Sequence, residues 1–471
     1  MSGTNSAGNN HMTRRANRHQ LARIGLLLAA WAMTAALFQK PLPSTSGRPL
    51  GVIRLTGRAF VDDRGSFLGM GATLFWAGWA YTNDRERLER NLRFLADHGV
   101  DYIRVLGVAG APGDSWSDRV IDPRTDRYDA AIAGLTDLAY DKFGLRVEWT
   151  IFGGVTSTPT PAAREDVVRR FVAMARGRAH KIQYFEVANE GWQNGFGGRD
   201  GIEELRALGQ ILRDHTPNLV ALTSPVDSAS LHALYDGSAA NLLTMHLTRG
   251  DSKVWGAWEA VRDPWQVQFD WRGAWSSDEP IGPQSSVDQE DDPLRLAMGA
   301  AVAWLSGAAT YVLHTGAGVR GGGAADRALG RAANVWETPR IEAILNGLST
   351  VRRLLPADLP NFDRHNSNRN FPRYPFDVDL LLPHHAAERL LRAYAAISGD
   401  GRFVVMPLAA RTPIPLRARQ AMSFEVRNPL TAAVRAKVTL EAGDTYTLPP
   451  GEAYLIVGNL KATSAGPPAG P

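Results

Sequence analysis

Residues 182–192 read Ile-Gln-Tyr-Phe-Glu-Val-Ala-Asn-Glu-Gly-Trp. A run rich in β-formers ends abruptly in Asn189-Glu190-Gly191, an amide, a carboxyl and a glycine where an apolar strand should simply turn. The pattern holds a carboxylate at a strand end; its plainer alternative is a polar strand end that caps the next helix. A second polar intrusion is Arg104, inside the apolar Tyr-Ile-Arg-Val-Leu. An unpaired guanidinium is costly there, so an acidic or carbonyl partner must lie beside it. Glu148, in Val-Glu-Trp-Thr-Ile-Phe, sits too deep in its strand for chemistry and is expected to pair with Arg104 or a neighbour. His246 and His314 each close a short apolar run, where an imidazole can serve a bound molecule or hydrogen-bond the backbone.

The rest of the composition narrows the chemistry. There is no cysteine, which excludes disulfides, thiolate metal ligands and cysteine nucleophiles together. No clustered His/Asp spacing suggests a metal, so neither metal nor cofactor is expected. The formal charge of +4 is inflated by arginines near the start, and no basic run is interleaved with aromatics, which argues against nucleic acid. Thirteen tryptophans are enough to offer sugar-stacking faces as well as core, with Trp192, Trp76 and Trp79 placed to do so.

The elements that must position these groups alternate regularly. Strands are expected at 67–74, 101–106, 146–152, 182–188, 219–223, 242–246, 280–284 and 310–314. Helices follow at 84–98, 130–143, 163–176, 201–215, 228–235, 255–262, 293–305 and 339–354. Eight strand–helix units with short connections predict parallel strands closed into a (β/α)8 TIM barrel over 58–355, with a short hairpin lid from residue 58. From 356 to 460 short alternating runs separated by Gly-Asp-Gly and Pro-Pro-Gly turns predict a C-terminal antiparallel β-sandwich. Residues 461–471 read as a disordered Gly/Pro/Ala tail. At the other end, Arg14, Arg15 and Arg18 precede an uncharged apolar run at 24–38, the layout of a secretory signal. The cleavage signal Thr34-Ala35-Ala36 is mediocre, so an uncleaved anchor over 21–38 is a second outcome; 41–57 is a linker. Export, to a periplasmic, secreted or membrane-anchored location, is the expectation.

The lead-in to Asn189-Glu190, together with Arg104 on the second strand, resembles the clan A glycoside hydrolases, the (β/α)8 enzymes typified by cellulases, mannanases and β-galactosidases. The resemblance implies that Glu190 is the general acid/base, that Asn189 bonds the sugar 2-hydroxyl, that Arg104 supports the catalytic carboxylates and that His246 lies near the substrate. At the seventh strand the chain departs from the family pattern. Where glutamate should stand there is Gln284 or Ser285, and Glu279 precedes the expected strand, at the wrong end of the barrel. A neutral amide cannot form a glycosyl ester. The nearest acids beyond are the loop residues Asp288, Glu290, Asp291 and Asp292, of which one could fold back over the site, Glu290 first because Asp292-Pro293 is the best helix cap; the alternative is that the whole cluster is a solvated cap of the helix that follows. His314 stands where the clan often has an aromatic platform on the eighth strand, either replacing it as a hydrogen-bonding group or serving structure alone. Gly316-Ala-Gly-Val-Arg-Gly321 formally fits a dinucleotide fingerprint but lacks the βαβ context, and reads as a rim loop. Two functional classes follow: an exported glycosidase acting on an oligo- or polysaccharide, or a carbohydrate-binding barrel that has lost hydrolysis. Oligomeric state is not addressed by any of these residues.

Overall fold

The computed structural model describes residues 50–111, 116–247, 264, 267, 270–285, 289–366, 375–377, 393–407, 413–450 and 453–461. The apolar segment at 24–38, the helix expected at 255–262, Asp288 and the C-terminal tail lie outside them.

Eight parallel strands form one sheet: Gly69–Thr73, Tyr102–Val108, Arg146–Phe152, Ile182–Ala188, Val220–Ala221, Leu243–Met245, Trp275–Ser277 and Ala308–Leu313, called barrel strands one to eight below. Strand one pairs with both two and eight. The backbone N–H groups of Asn241 and Leu242 donate to the Val220 carbonyl at 3.0 and 3.2 Å, which brings strands five and six together and completes the ring. A (β/α)8 barrel is therefore the architecture. Helices form where apolar residues recur at helical spacing: Arg85–Asp97 turns Leu88, Leu92 and Leu95 inward. Caps set several starts. The Thr160 hydroxyl accepts from Ala163 N ahead of Pro161–Ala175, and Asp292 accepts from Leu294 N ahead of Pro293–Leu305. The barrel floor is filled by large side chains, and small residues on strand one make room for them. A Cβ at Gly71 would stand 2.4 Å from the Tyr102 ring, whose hydroxyl meets Thr310 Oγ1 at 2.6 Å. Below, Arg54–Thr56, Ala59–Asp62 and Gly65–Phe67 make the expected lid, with Phe60 packed under Tyr184.

The seventh strand corrects the sequence reading. It is Trp275–Ser277, not 280–284. Ser276 faces a polar interior, where it bonds Tyr184 and Asp278, so the strand lacks the apolar run by which strands are recognised. The stretch Pro280-Ile-Gly-Pro283 is apolar but follows the strand as a loop. Its prolines lack the N–H a central strand needs, and a Cβ on Gly282 would fall 1.9 Å from the His314 carbonyl.

C-terminal to the barrel, a six-stranded antiparallel sheet faces a three-stranded one, the sandwich expected. Alternation along the larger sheet explains its continuous apolar runs. Phe403 and Val405 enter the sandwich core with Ala395, Ile397 and Ile456, while Val404 and Met406 join Tyr394, Ala396 and Leu455 in the barrel's core cluster. Both faces are buried, so the sheet is fixed to the barrel through apolar contact. Among the described residues no helix is long and apolar enough to cross a membrane.

Candidate active site

Arg104, at the middle of strand two, is fully buried and is bound by acids from three other strands. Its Nε donates to Glu148 at 2.9 Å, Nη1 to Glu279 at 2.7 Å, and Nη2 to Glu186 at 2.6 Å and to Asn189 Oδ1 at 2.9 Å. Asp278 Oδ2 lies 3.5 Å from Nε. Burial alone would lower the guanidinium's pKa, but Glu186, Asp278, Glu279 and Glu148 outweigh it and hold it well above the ordinary value. One cation thus faces four carboxyls. Burial, reinforced by Asp278, raises the Glu148 carboxyl well above the usual range, and burial likewise raises Asp278 against the pull of Arg104. Glu186 is fixed further by Thr150 and Thr244 hydroxyls, each at 2.7 Å.

Above this layer the strand ends present Glu190 and Glu279. Strand four stops at Ala188; Asn189 N donates to Phe152 O, and Glu190 turns with φ +41°, in the left-handed region that non-glycine residues avoid. The turn is held by Gly191 N on Thr223 Oγ1 at 2.8 Å and by Gln193 and Asn194 N–H groups on the Glu190 carbonyl. The Glu190 carboxyl meets His246 Nδ1 at 3.2 Å and accepts from Gln193 Nε2. Glu279 follows strand seven directly: Asp278 N extends the ladder onto Met245 O, and the buried Glu279 side chain reaches Arg104 Nη1 at the cavity floor. His246 Nε2 lies 3.7 Å from Glu279 Oε1, and His314 Nε2 lies 3.8 Å from Oε2, with His314 Nδ1 fixed by Thr73 Oγ1 at 3.0 Å. A carboxylate oxygen of Glu190, one of Glu279 and a nitrogen of His246 all lie within 4.8 Å of one another. Burial would lower the His246 pKa, but Glu279 and the bond to Glu190 outweigh it, so the imidazole's pKa is raised. The open space above these groups is a cavity of about 700 Å³ lined by Asn189, Glu190, Glu279 and His314, with Phe75 and Trp116 as aromatic walls at 6.5 Å between ring centroids.

The structure brings Glu190, Asn189, Arg104, His246 and His314 together. It does not bring the other sequence candidates there. Glu290 is bound at the start of its helix, by Asp292 N at 2.9 Å and Arg295 Nη1 at 2.7 Å, and does not line the cavity. Gln284 accepts from Ala332 N at 2.9 Å, behind the cavity wall. Trp76 is fully buried with its indole N–H on Ala317 O, so it offers no face to a ligand, and Trp192 is half exposed outside the cavity lining. Glu279 was set at the wrong end of the barrel because the strand was placed five residues too late (275 against 280). Glu186, Asp278, Phe75 and Trp116 were missed. Glu186 had a signal: it shares its strand face with Tyr184, and a charge on an inward face beside Arg104 needs that cation.

No protein-family model and no curated protein sequence matches the chain. Solved structures are similar in fold. A glycoside hydrolase family 5 protein from Bacteroides vulgatus superposes with a TM-score of 0.62 at 14% identity, covering 89% of this chain and 95% of its own. A second structure, described as a glycoside hydrolase, has a TM-score of 0.61 at 12% identity, covering 88% and 98%. A family 27 β-L-arabinopyranosidase from Geobacillus stearothermophilus has a TM-score of 0.51 at 11% identity, covering 85% and 98%.

Proposed function

We propose that the chain is an exported glycoside hydrolase that cleaves O-glycosidic bonds of an oligo- or polysaccharide with retention at the anomeric carbon, Glu190 serving as acid/base and Glu279 as nucleophile. The observation that carries this is that one carboxylate oxygen of Glu190 and one of Glu279 lie within 4.8 Å of each other, which favours a closely set pair. Retaining enzymes set the pair about 5 to 5.5 Å apart, whereas inverting ones leave about 6.5 to 9.5 Å for a water. The glycosidase names borne by the similar folds support the same reading.

In this reading Glu279 attacks the anomeric carbon while Glu190 protonates the departing oxygen. A carbon–oxygen ester to Glu279 forms as the glycosidic bond breaks. Water then attacks the same carbon, giving a proton to Glu190 and releasing the Glu279 carboxylate. Arg104 Nη1 holds Glu279 Oε1, which orients the other oxygen toward the sugar. His246, between the two carboxyls, fixes Glu190 through Nδ1 and stands beside Glu279 through Nε2. Asn189, anchored on Arg104, is placed to bond a sugar hydroxyl. Glu279 favours this over the binding-barrel alternative, whose motive was a missing second carboxylate. Export rests on the apolar segment at 24–38 following its arginines.

The test is trapping with an aryl deoxyfluoro-glycoside. Mass spectrometry of the intact wild-type chain is expected to show one covalent sugar, absent from Glu279→Gln, and the released product is expected to keep its anomeric configuration by NMR. Inverted product, or Glu279→Gln with full turnover, refutes the assignment.

A further inference from the structure

The cavity wall contributed by the segment after strand eight carries an acid that the mechanism does not use. Asp326, on the short helix Ala324–Ala328, is 1% exposed and lines the cavity, yet neither carboxylate oxygen has a hydrogen-bond partner among the described residues. Buried carboxylates without donors are rare, because losing water without replacement costs the full desolvation of a charge. Its partner in charge is Arg331, whose Nη1 stands 3.5 Å from Oδ1, close enough to neutralise but too far for a good hydrogen bond. Arg331 is held where it is: its backbone N–H donates to the Asp326 carbonyl at 2.9 Å, and Nη2 donates to Ser285 O at 3.3 Å. Side chain and guanidinium therefore face the same cavity as Glu190 and Glu279, preformed and incompletely satisfied.

Resting on the retaining-glycosidase reading above, we infer that Asp326 and Arg331 form a specificity subsite that holds adjacent hydroxyl groups of a neutral sugar ring. The pair carries no net charge. It therefore offers a charged sugar, uronate or amino, no net attraction to offset the desolvation of its charge. Two neighbouring hydroxyls fit both: each donates a proton to a carboxylate oxygen, and one accepts from the guanidinium. Unlike the apolar walls Phe75 and Trp116, which take any sugar face, this pair reads the positions of the hydroxyls.

The experiment compares wild type, Asp326→Ala, Asp326→Asn and Glu279→Gln on a set of para-nitrophenyl pyranosides (glucoside, mannoside, galactoside, xyloside) and the monodeoxy analogues of the one that is hydrolysed. Wild type is expected to lose about 100-fold in kcat/KM when the bound hydroxyl is missing. Asp326→Ala is expected to lose a similar factor on the parent sugar and to treat parent and deoxy sugar alike. Asp326→Asn, isosteric and free of the buried charge, keeps the comparison available if the alanine variant does not fold. A wild-type enzyme that hydrolyses the parent, is silenced by Glu279→Gln, and shows the same deoxy penalties at every ring position as both Asp326 variants overturns the subsite while leaving the retaining reading intact. A wild type that hydrolyses none of the set while remaining folded overturns the reading and the subsite together.

Discussion

Replacing Arg104 by lysine keeps the buried charge and removes its shape. The guanidinium reaches Glu148, Glu279 and Glu186 through three different nitrogens, and Asn189 through the last of them. An ammonium is a single point and cannot follow all of these directions, so at least two charge-assisted bonds are lost. At about 1.5 to 3 kcal/mol for each bond to a charged group, the direct cost is about 3 to 6 kcal/mol. Stranded carboxyls limit it by taking up protons, so about 3 to 5 kcal/mol is expected near neutral pH. The pH dependence has a definite sign. Burial already raises Glu148 and Asp278, and loss of the fork raises their folded pKa values further. A group whose folded pKa lies above its unfolded value contributes stability at low pH that is lost as pH rises through the folded value. The gap between wild type and Arg104→Lys should therefore be smallest near pH 5 and widen toward pH 8. Urea unfolding followed by tryptophan fluorescence measures it at both pH values. A destabilisation below about 1 kcal/mol, or one equal at both pH values, would refute the reasoning that one fork binds three acids at once.

Glu148→Gln removes a buried titrating group, and its urea midpoint is expected to fall less between pH 5 and pH 8 than that of wild type; an unchanged slope would show that Glu148 is ionised throughout. Trp116→Ala should raise KM about 3- to 10-fold for any hydrolysed glycoside, in line with one stacking contact, with kcat nearly unchanged. Trp76→Phe should leave KM alone and lower stability by about 1 kcal/mol through the lost bond to Ala317 O, as steady-state kinetics and thermal melts can separate. Glu190→Gln should cost about 100- to 10,000-fold in kcat on substrates with poor leaving groups and far less on those with good ones, since only the former need a proton; equal losses on both would argue against acid catalysis.

Much of this was legible before any coordinates. Apolar strands bounded by glycine and polar residues mark themselves, which is why strands three and four were placed to the residue. A lone arginine in an apolar strand announces an acidic partner, and Glu148 was read as one. Strand seven was not legible because its inward face is polar: Ser276 and Asp278 satisfy Tyr184 and face Arg104, so the periodicity that signals a strand is absent. That shift hid Glu279 and directed attention to Glu290, an acid with an ordinary place at a helix start. Trp76 and Trp192 could not be sorted by sequence either, because an indole that fills a core and one that lines a cleft carry the same local pattern.

The turn at Glu190 has a bearing on how such a chain can change over time. A glutamate held at φ +41° costs about 1 kcal/mol or more relative to glycine or asparagine at the same place. Selection for a more durable fold and selection for activity therefore pull this position in opposite directions. With Glu190 as the acid/base proposed above, a lineage released from the need for hydrolysis would gain stability by the very substitution that ends it, so glutamate kept at this position in a descendant is what that proposal expects of continued use.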